Sequence, residues 1–275
     1  MPDSAFPERV FYKILGDLKE YLSVLTLVGG WVPFVYARHV WDLSTSNLLT
    51  TADIDFGVSA NTTLSKGRTV YETLSSLDYQ ERHVRLGRLW PVIFYQGGKI
   101  PVEFIADSRS NLNAIAGTLG PQVHLNQVQG FLFLLANRTL VRMKIRGKVL
   151  MIFCPKPAAF LYDKLGTFSS RENEPKKAKD LYYAYFVLRY SPDRAEPVRQ
   201  LRLYEKMHIF PHIGSELRSF FRTLTSPGPL WIERENGPDE FIENVRHDAF
   251  TRFNELRQNV FEKSSSSRGK RDERR

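Results

Sequence analysis

Ala52-Asp-Ile-Asp-Phe-Gly-Val58 alternates acidic and apolar residues with a period of two. That period belongs to a β-strand, whose successive side chains point to opposite faces, so Asp53 and Asp55 share one face while Ile54 and Phe56 share the other. Two adjacent carboxylates repel each other unless a cation lies between them, and hard oxygen donors of this kind suit Mg²⁺. A solvent-facing pair on an edge strand would read the same way, so the flanking sequence decides. Upstream, Thr26-Leu-Val28 is a short β-prone run ended by Gly29-Gly30, and residues 31–41 resume helical spacing. The expectation is strand, glycine turn, helix, an arrangement that offers unpaired backbone N–H groups to a phosphate. Downstream, Ile100-Pro-Val-Glu-Phe-Ile-Ala-Asp107 puts Glu103 and Asp107 on one face and Val102, Phe104 and Ala106 on the other. A mid-strand carboxylate buried without a partner costs on the order of several kcal/mol, so such a group is exposed, ion-paired or metal-bound, and Glu103 is taken as the expected third metal ligand. Asp107 falls at the strand end, where capping the next turn is the expectation and third acid the alternative.

Around these strands the pattern is mixed. Residues 8–25 carry apolar side chains three and four apart, which predicts a helix, and so do residues 64–77. Gly97-Gly98 between β-rich runs at 86–95 and 100–106 predicts an antiparallel hairpin, and the residues around Gly147 predict a second between 140–145 and 149–153. After Pro155 the character changes to helical periodicity: 158–168, 176–190, 195–207, 214–224 and 238–262. The predicted fold is α+β: an N-terminal mixed sheet flanked by helices over 1–155, then a helical domain over 156–262. Residues 263–275 hold six Lys or Arg, two acids and no apolar side chain, and are expected to be a disordered basic tail.

The chain has 275 residues, 39 Lys plus Arg against 30 Asp plus Glu, and a net charge of +9, which leans toward a polyanionic partner. The tail supplies +4 of that excess and the other 262 residues +5, so the tail can raise encounter rates with nucleic acid but specifies nothing. Arg138, Arg142, Lys144, Arg146 and Lys148 form one basic group and Arg82, His83, Arg85 and Arg88 another. Each reads equally as a phosphate track or as charge guarding an edge strand. Cys154, the one cysteine, sits in an apolar run and is expected to be a buried thiol. The first residues lack a basic then apolar leader pattern, and apolar runs are too short to span a bilayer, so a cytoplasmic protein with no membrane contact is expected. His208 and His212 are separated by Pro211, which breaks the helix a zinc pair would need.

Leu27-Val-Gly-Gly30, Thr50-Thr-Ala-Asp-Ile-Asp-Phe56 and Val102-Glu-Phe-Ile105 resemble the polymerase-β-like nucleotidyltransferase superfamily. Phe160-Leu-Tyr-Asp-Lys164, Ser170-Arg171 and Lys177-Ala-Lys-Asp-Leu-Tyr182 extend the resemblance to its AbiEii-like abortive-infection branch, the toxins of type IV toxin–antitoxin pairs. The resemblance implies that Gly29 and Gly30 hold a triphosphate. It also implies that Asp53, Asp55 and Glu103 are the catalytic and metal-binding triad for Mg²⁺, as two ions. Lys164 and Asp180 would contribute to nucleotide binding, with Lys179 and Arg171 as weaker phosphate contacts. Glu103 stands where the family usually has Asp, and Ser44-Thr-Ser-Asn47 lengthens the connection between the glycine turn and the acids. From its own surroundings Lys164 reads more readily as a surface lysine, and Asp180 as a first-turn acid complementing the helix dipole.

The expected activity is Mg²⁺-dependent transfer of a nucleoside monophosphate from an NTP to an acceptor hydroxyl. The favoured acceptor is RNA, a tRNA 3′ end first, with a cognate antitoxin as protein partner. Transfer to an aminoglycoside-type small molecule or to a protein hydroxyl is the alternative within the enzyme class, and a non-catalytic nucleotide- or RNA-binding module the alternative outside it.

Overall fold

The computed structural model describes residues 5–43, 51–59, 67–145, 147–237 and 244–262. The expected loop insertion at 44–47 and the basic tail at 263–275 lie outside the described residues. The chain divides into two compact units at Pro155/Lys156.

The first unit is built on one mixed sheet. Its strands are β1 (Leu25–Val28), β2 (Ile54–Val58), β3 (Tyr79–His83), β4 (Val92–Gln96), β5 (Ile100–Asp107), β6 (Leu125–Val128), β7 (Arg138–Ile145) and β8 (Lys148–Pro155). Their order is β3-β4-β5-β2-β1-β8-β7, with β6 also on β5. β4 and β6 divide one edge of β5 between them, β4 pairing antiparallel at its start and β6 parallel at its end. β2 lies parallel to β5 and antiparallel to β1. Ile54, Phe56, Val102 and Phe104 are buried on one face and form the core.

Helix α1 (Ala5–Asp17) packs its aromatic side against the chain just after β1, where Phe11 stacks on Trp31 with ring centroids 4.4 Å apart. That chain runs from a 3₁₀ turn, Gly29–Trp31, through α2 (Val32–Val35) into a π-turn at Tyr36–Val40. The Tyr36 hydroxyl donates to the Pro155 carbonyl at the end of β8. The helix expected over 8–25 therefore ends at Asp17, because Leu25 already belongs to β1. α3 (Val70–Ser75) starts at a reciprocal cap between Thr69 and Glu72. α4 (Leu112–Leu119) and α5 (Phe131–Ala136) follow, and α5 lies so close to β2 that a Cβ on Gly57 would be 2.7 Å from Leu135. Both glycine hairpins form, β4–β5 and β7–β8. The strand expected over 86–95 starts only at Val92, and β3 precedes it. Four of the five β3 residues are exposed, so this edge strand has too little apolar alternation to read in sequence.

The second unit is helical: α6 (Pro157–Thr167), α7 (Glu174–Tyr190), α8 (Ala195–Glu205), α9 (Ile213–Phe220), α10 (Pro227–Asn236) and α11 (Val245–Leu256). α7 is buried all round from Leu181 to Leu188, as expected of a helix enclosed by others. Gly166 of α6 lets Phe210 seat directly on the helix, where a Cβ would fall 2.2 Å from the ring. His212 bonds the Gly166 carbonyl through Nε2 at 2.8 Å, a structural use of that histidine. α10 has no counterpart among the expected helices; it opens on Pro227 and Pro229, which a first helical turn tolerates. Cys154 is fully buried, and burial pushes its thiol pKa up. Among the described residues, no helix is long and apolar enough to cross a membrane.

Candidate active site

Asp55 is the second residue of β2, and the sheet register surrounds it with the other expected groups. Across the parallel pairing it lies directly beside Glu103 of β5. Across the antiparallel pairing it lies beside Val28, the last residue of β1. Aligned residues on neighbouring strands share a face, so both carboxylates stand on the face opposite the Phe56–Phe104 core, each partly exposed. Asp53 sits in the bend one residue ahead of β2, where its carbonyl accepts from Thr51 Oγ1 at 3.0 Å.

Gly29 follows Val28 with a left-handed φ of +69°. A Cβ at that position would fall 2.0 Å from Oδ2 of Asp55 and 2.9 Å from its Cγ. The absence of a side chain is therefore what lets the turn lie against the carboxylate. Gly30, the second residue of the 3₁₀ turn, is buried.

Glu103 is held from the far side. Asn126 of β6 donates from Nδ2 to Glu103 Oε2 at 3.0 Å. With its amide oriented that way, Asn126 Oδ1 accepts from His124 Nε2, also at 3.0 Å, which puts the ring proton on Nε2. The Nδ1 atom of His124 is buried without a partner among the described residues. Neither His124 nor Asn126 carries a signal in the sequence, because β6 pairs with β5 in parallel, through a connection that no local pattern announces.

Asp107 takes the capping role. Its side chain is fully buried and accepts from the Arg109 N–H at 3.0 Å, Arg109 Nε at 3.1 Å and the Leu132 N–H of α5 at 3.0 Å. Burial works against its charge, but the two backbone donors and the guanidinium outweigh it and hold the pKa below the usual carboxylate range.

In the second unit, Lys164 and Asp180 do meet. Lys164 Nζ is 3.1 Å from Asp180 Oδ1 and 3.7 Å from Asp163 Oδ2, and Arg171 Nε is 2.6 Å from Asp180 Oδ2. The Lys164 side chain is only 7% exposed, so it is an interior ion-pair member rather than a surface lysine. Burial lowers its pKa, yet Asp180 and Asp163 raise it further, and the ammonium stays charged. α7 begins six residues before Asp180, so that residue is not a first-turn acid. Lys179 is partly exposed on α7.

Residues 14–203 match the model of a family described as Nucleotidyltransferase. The chain belongs to that nucleotidyltransferase family. The matched stretch contains the whole sheet and the Lys164–Asp180 segment. Among solved structures, an antigenic nucleotidyltransferase-like protein from Paracoccidioides brasiliensis is similar at 14% identity, covering 72% of this chain and 86% of that one, with a TM-score of 0.37. No curated protein matches.

In this nucleotidyltransferase, Asp55 on β2 and Glu103 on β5 are hard oxygen donors, of the kind that divalent cations take. Among the described residues no three His, Cys, Asp or Glu side chains are gathered into a metal-holding group. Mg²⁺ bound together with substrate phosphates takes only one or two carboxylates from the protein, and the Asp55–Glu103 pair fits that demand. The basic group on β7 is smaller than its sequence suggests. Arg138 is turned in, bonding Thr26 Oγ1 at 2.8 Å with its guanidinium 4.1 Å from the centre of the Phe153 ring. Arg142 and Lys144 are exposed, and Arg146 lies outside the described residues.

Proposed function

We propose that this nucleotidyltransferase moves a nucleoside monophosphate from an NTP to the 3′ hydroxyl of an RNA, a tRNA first, with Asp53, Asp55 and Glu103 as the catalytic carboxylates. The observation that carries the reading is the register pairing of Asp55 with Glu103 beside a glycine turn that only Gly29 can make. The acceptor oxygen would attack the α-phosphorus, the bond to the β-phosphate would break, and pyrophosphate would leave. Glu103, kept in place by Asn126, is suited to receive the hydroxyl proton. The Gly29–Gly30 backbone supplies N–H groups for the triphosphate. Mg²⁺, as two ions, would neutralise phosphate charge and favour the ionised acceptor when bound. Lys164 and Asp180 belong to the nucleotide site on the strength of the family resemblance.

An RNA acceptor is supported by the net positive charge, since a cationic drug acceptor calls for an acidic cleft. A toxin role, with a cognate antitoxin and a cytoplasmic location, rests on the likeness of the 160–182 segment to abortive-infection toxins. The test is incubation of the purified chain with Mg²⁺, each α-phosphate-labelled NTP and total tRNA. Label should pass to RNA, and Asp53→Ala or Asp55→Asn should abolish the transfer while leaving the melting temperature near that of the parent. Nucleotide binding without transfer to any RNA, protein or small acceptor would remove the enzymatic reading. An unchanged rate in both variants would show that the site is elsewhere.

A further inference from the structure

The sheet face that carries Asp55 and Glu103 continues past β5. Phe94 lies opposite Val102 and Tyr95 opposite Pro101, which brings Ile93 level with Glu103. On the next strand Arg82 lies opposite Ile93 and Gln80 opposite Tyr95. Val92, Phe94, Val102 and Phe104 are buried on the other face, so Glu103, Ile93, Tyr95, Gln80 and Arg82 stand together on the face of the carboxylates. Arg82 is two strands from Glu103, about 10 Å at ordinary strand spacing. Its guanidinium lies over the Tyr95 ring, 4.2 Å from the centroid, and donates to the Gly98 carbonyl at 3.1 Å.

Beyond β3 and β4 the same two chains run on as a ribbon. The Val84 N–H donates to the Pro91 carbonyl, and Leu86 and Leu89 exchange backbone bonds around Gly87, whose φ is +60°. Its end exposes large apolar side chains: Leu89 is 71% exposed, Trp90 58% and Leu86 49%. The Arg85 guanidinium is 5.9 Å from the centre of the Trp90 ring. Residues 82–102 contain Arg82, Arg85, Arg88 and Lys99 and no Asp or Glu. None of the three arginines is ion-paired with a described carboxylate. Glu81, just before them, points to the other face and accepts from Ser75 Oγ at 2.5 Å.

We propose that the β3–β4 ribbon is an arm that binds an unpaired stretch of polynucleotide and leads its end toward the Asp55–Glu103 face. This rests on the reading of a polynucleotide acceptor given above. Guanidinium groups spaced along a ribbon match the phosphates of a backbone, while the exposed indole and the Arg82–Tyr95 stack offer flat surfaces for unstacked bases. The tip is four residues past Arg82, about 13 Å along the strands, so the arm contacts several nucleotides at once. An acidic protein or an anionic membrane would satisfy the charges but would make no use of a stacked plane beside the carboxylates.

The experiment is fluorescence anisotropy of short 5′-labelled oligonucleotides with the full-length chain, without NTP or Mg²⁺. Single-stranded RNA and DNA, an RNA duplex, phosphatidylglycerol vesicles and polyglutamate serve as separate arms. Single strands should bind, with the RNA and DNA arms showing which sugar is preferred. Arg85→Ala with Arg88→Ala should weaken binding about tenfold and reduce the slope of log K against log salt by about 1.4, for two lost phosphate contacts. Trp90→Ala should weaken it at least about fivefold through lost stacking. All three positions are exposed, and unchanged melting curves would verify that the variants fold. Absence of strand binding, ribbon variants with unchanged affinity and salt slope, preference for the duplex, or binding of vesicles or polyglutamate instead would each overturn the arm. Asp55→Asn separates this from the catalytic reading: it should bind strands at least as tightly as the parent. Strand binding that depends on the ribbon, in a protein that transfers label to no RNA, would leave the arm standing and remove the catalytic reading alone.

Discussion

Gly29 and Asp55 are fitted to each other: the left-handed turn at Gly29 passes so close to the carboxylate that a Cβ would sit 2.0 Å from Oδ2. Gly29→Ala should therefore act twice. The positive φ should cost about 1 kcal/mol, as for any L-residue, and the clash should displace Asp55 and cut transfer by about tenfold or more. Gly147→Ala is the control, since its φ is +78° but nothing lies within 4 Å of the added atom. It should lose stability by a similar backbone amount and keep its activity. Thermal melting and label transfer measured on both variants check this, and equal activity in the two would refute the coupling.

Asn126 is expected to be a positioning residue for Glu103. Asn126→Ala should lower kcat by about tenfold with little change in KM for the NTP, because it loosens a carboxylate without touching the triphosphate. Asn126→Asp should be worse, since it places a second acceptor against Oε2 of Glu103. Steady-state kinetics of the two variants distinguish this from a packing role, which would shift both in step with their melting temperatures.

Lys164→Met should destabilise the second unit by about 3 kcal/mol, because Asp163 and Asp180 lose their buried cation while Arg171 alone remains. Removing both partners of the 3.1 Å pair, Lys164→Met with Asp180→Leu, should recover part of that loss. Urea unfolding of the two single variants and the double variant gives the coupling, and strict additivity would mean that the pair contributes nothing.

The pH dependence follows from Asp107. Its folded pKa is depressed, so the stability it contributes is present above the unfolded value, about 3.9, and is lost as pH falls through the lower folded value. Asp107→Asn should lower stability at neutral pH and flatten the stability curve below about pH 4. Unfolding midpoints across that acid range check it, and an unchanged slope would show that Asp107 does not govern the acid limb.

Much of the fold was readable residue by residue. Period-two alternation marked β2 and β5, glycine pairs marked the hairpin at Gly97-Gly98 and the turn at Gly29-Gly30, and helical spacing marked α6 to α9. What escaped had weak local signals. β3 is a polar edge strand, β6 is four residues long with no fully buried side chain, and α10 opens on two prolines. Lys164 read as a surface lysine because its partners, Asp180 and Arg171, arrive from a neighbouring helix and turn.

The sequence by itself determined the local placement of the groups proposed to carry chemistry: two aspartates alternating at the start of a strand, a glutamate on another, and a glycine pair before a helical turn. Side-chain periodicity is a local property, so these survive without a structure. Only the tertiary structure decided how they are brought together. Strand order set Asp55 beside Glu103, close approach reserved position 29 for glycine, β6 supplied Asn126, and the shared face extended the carboxylate surface to Arg82. Each is a pairing between segments distant in the chain, fixed by register and packing across the sheet, and no local pattern encodes it.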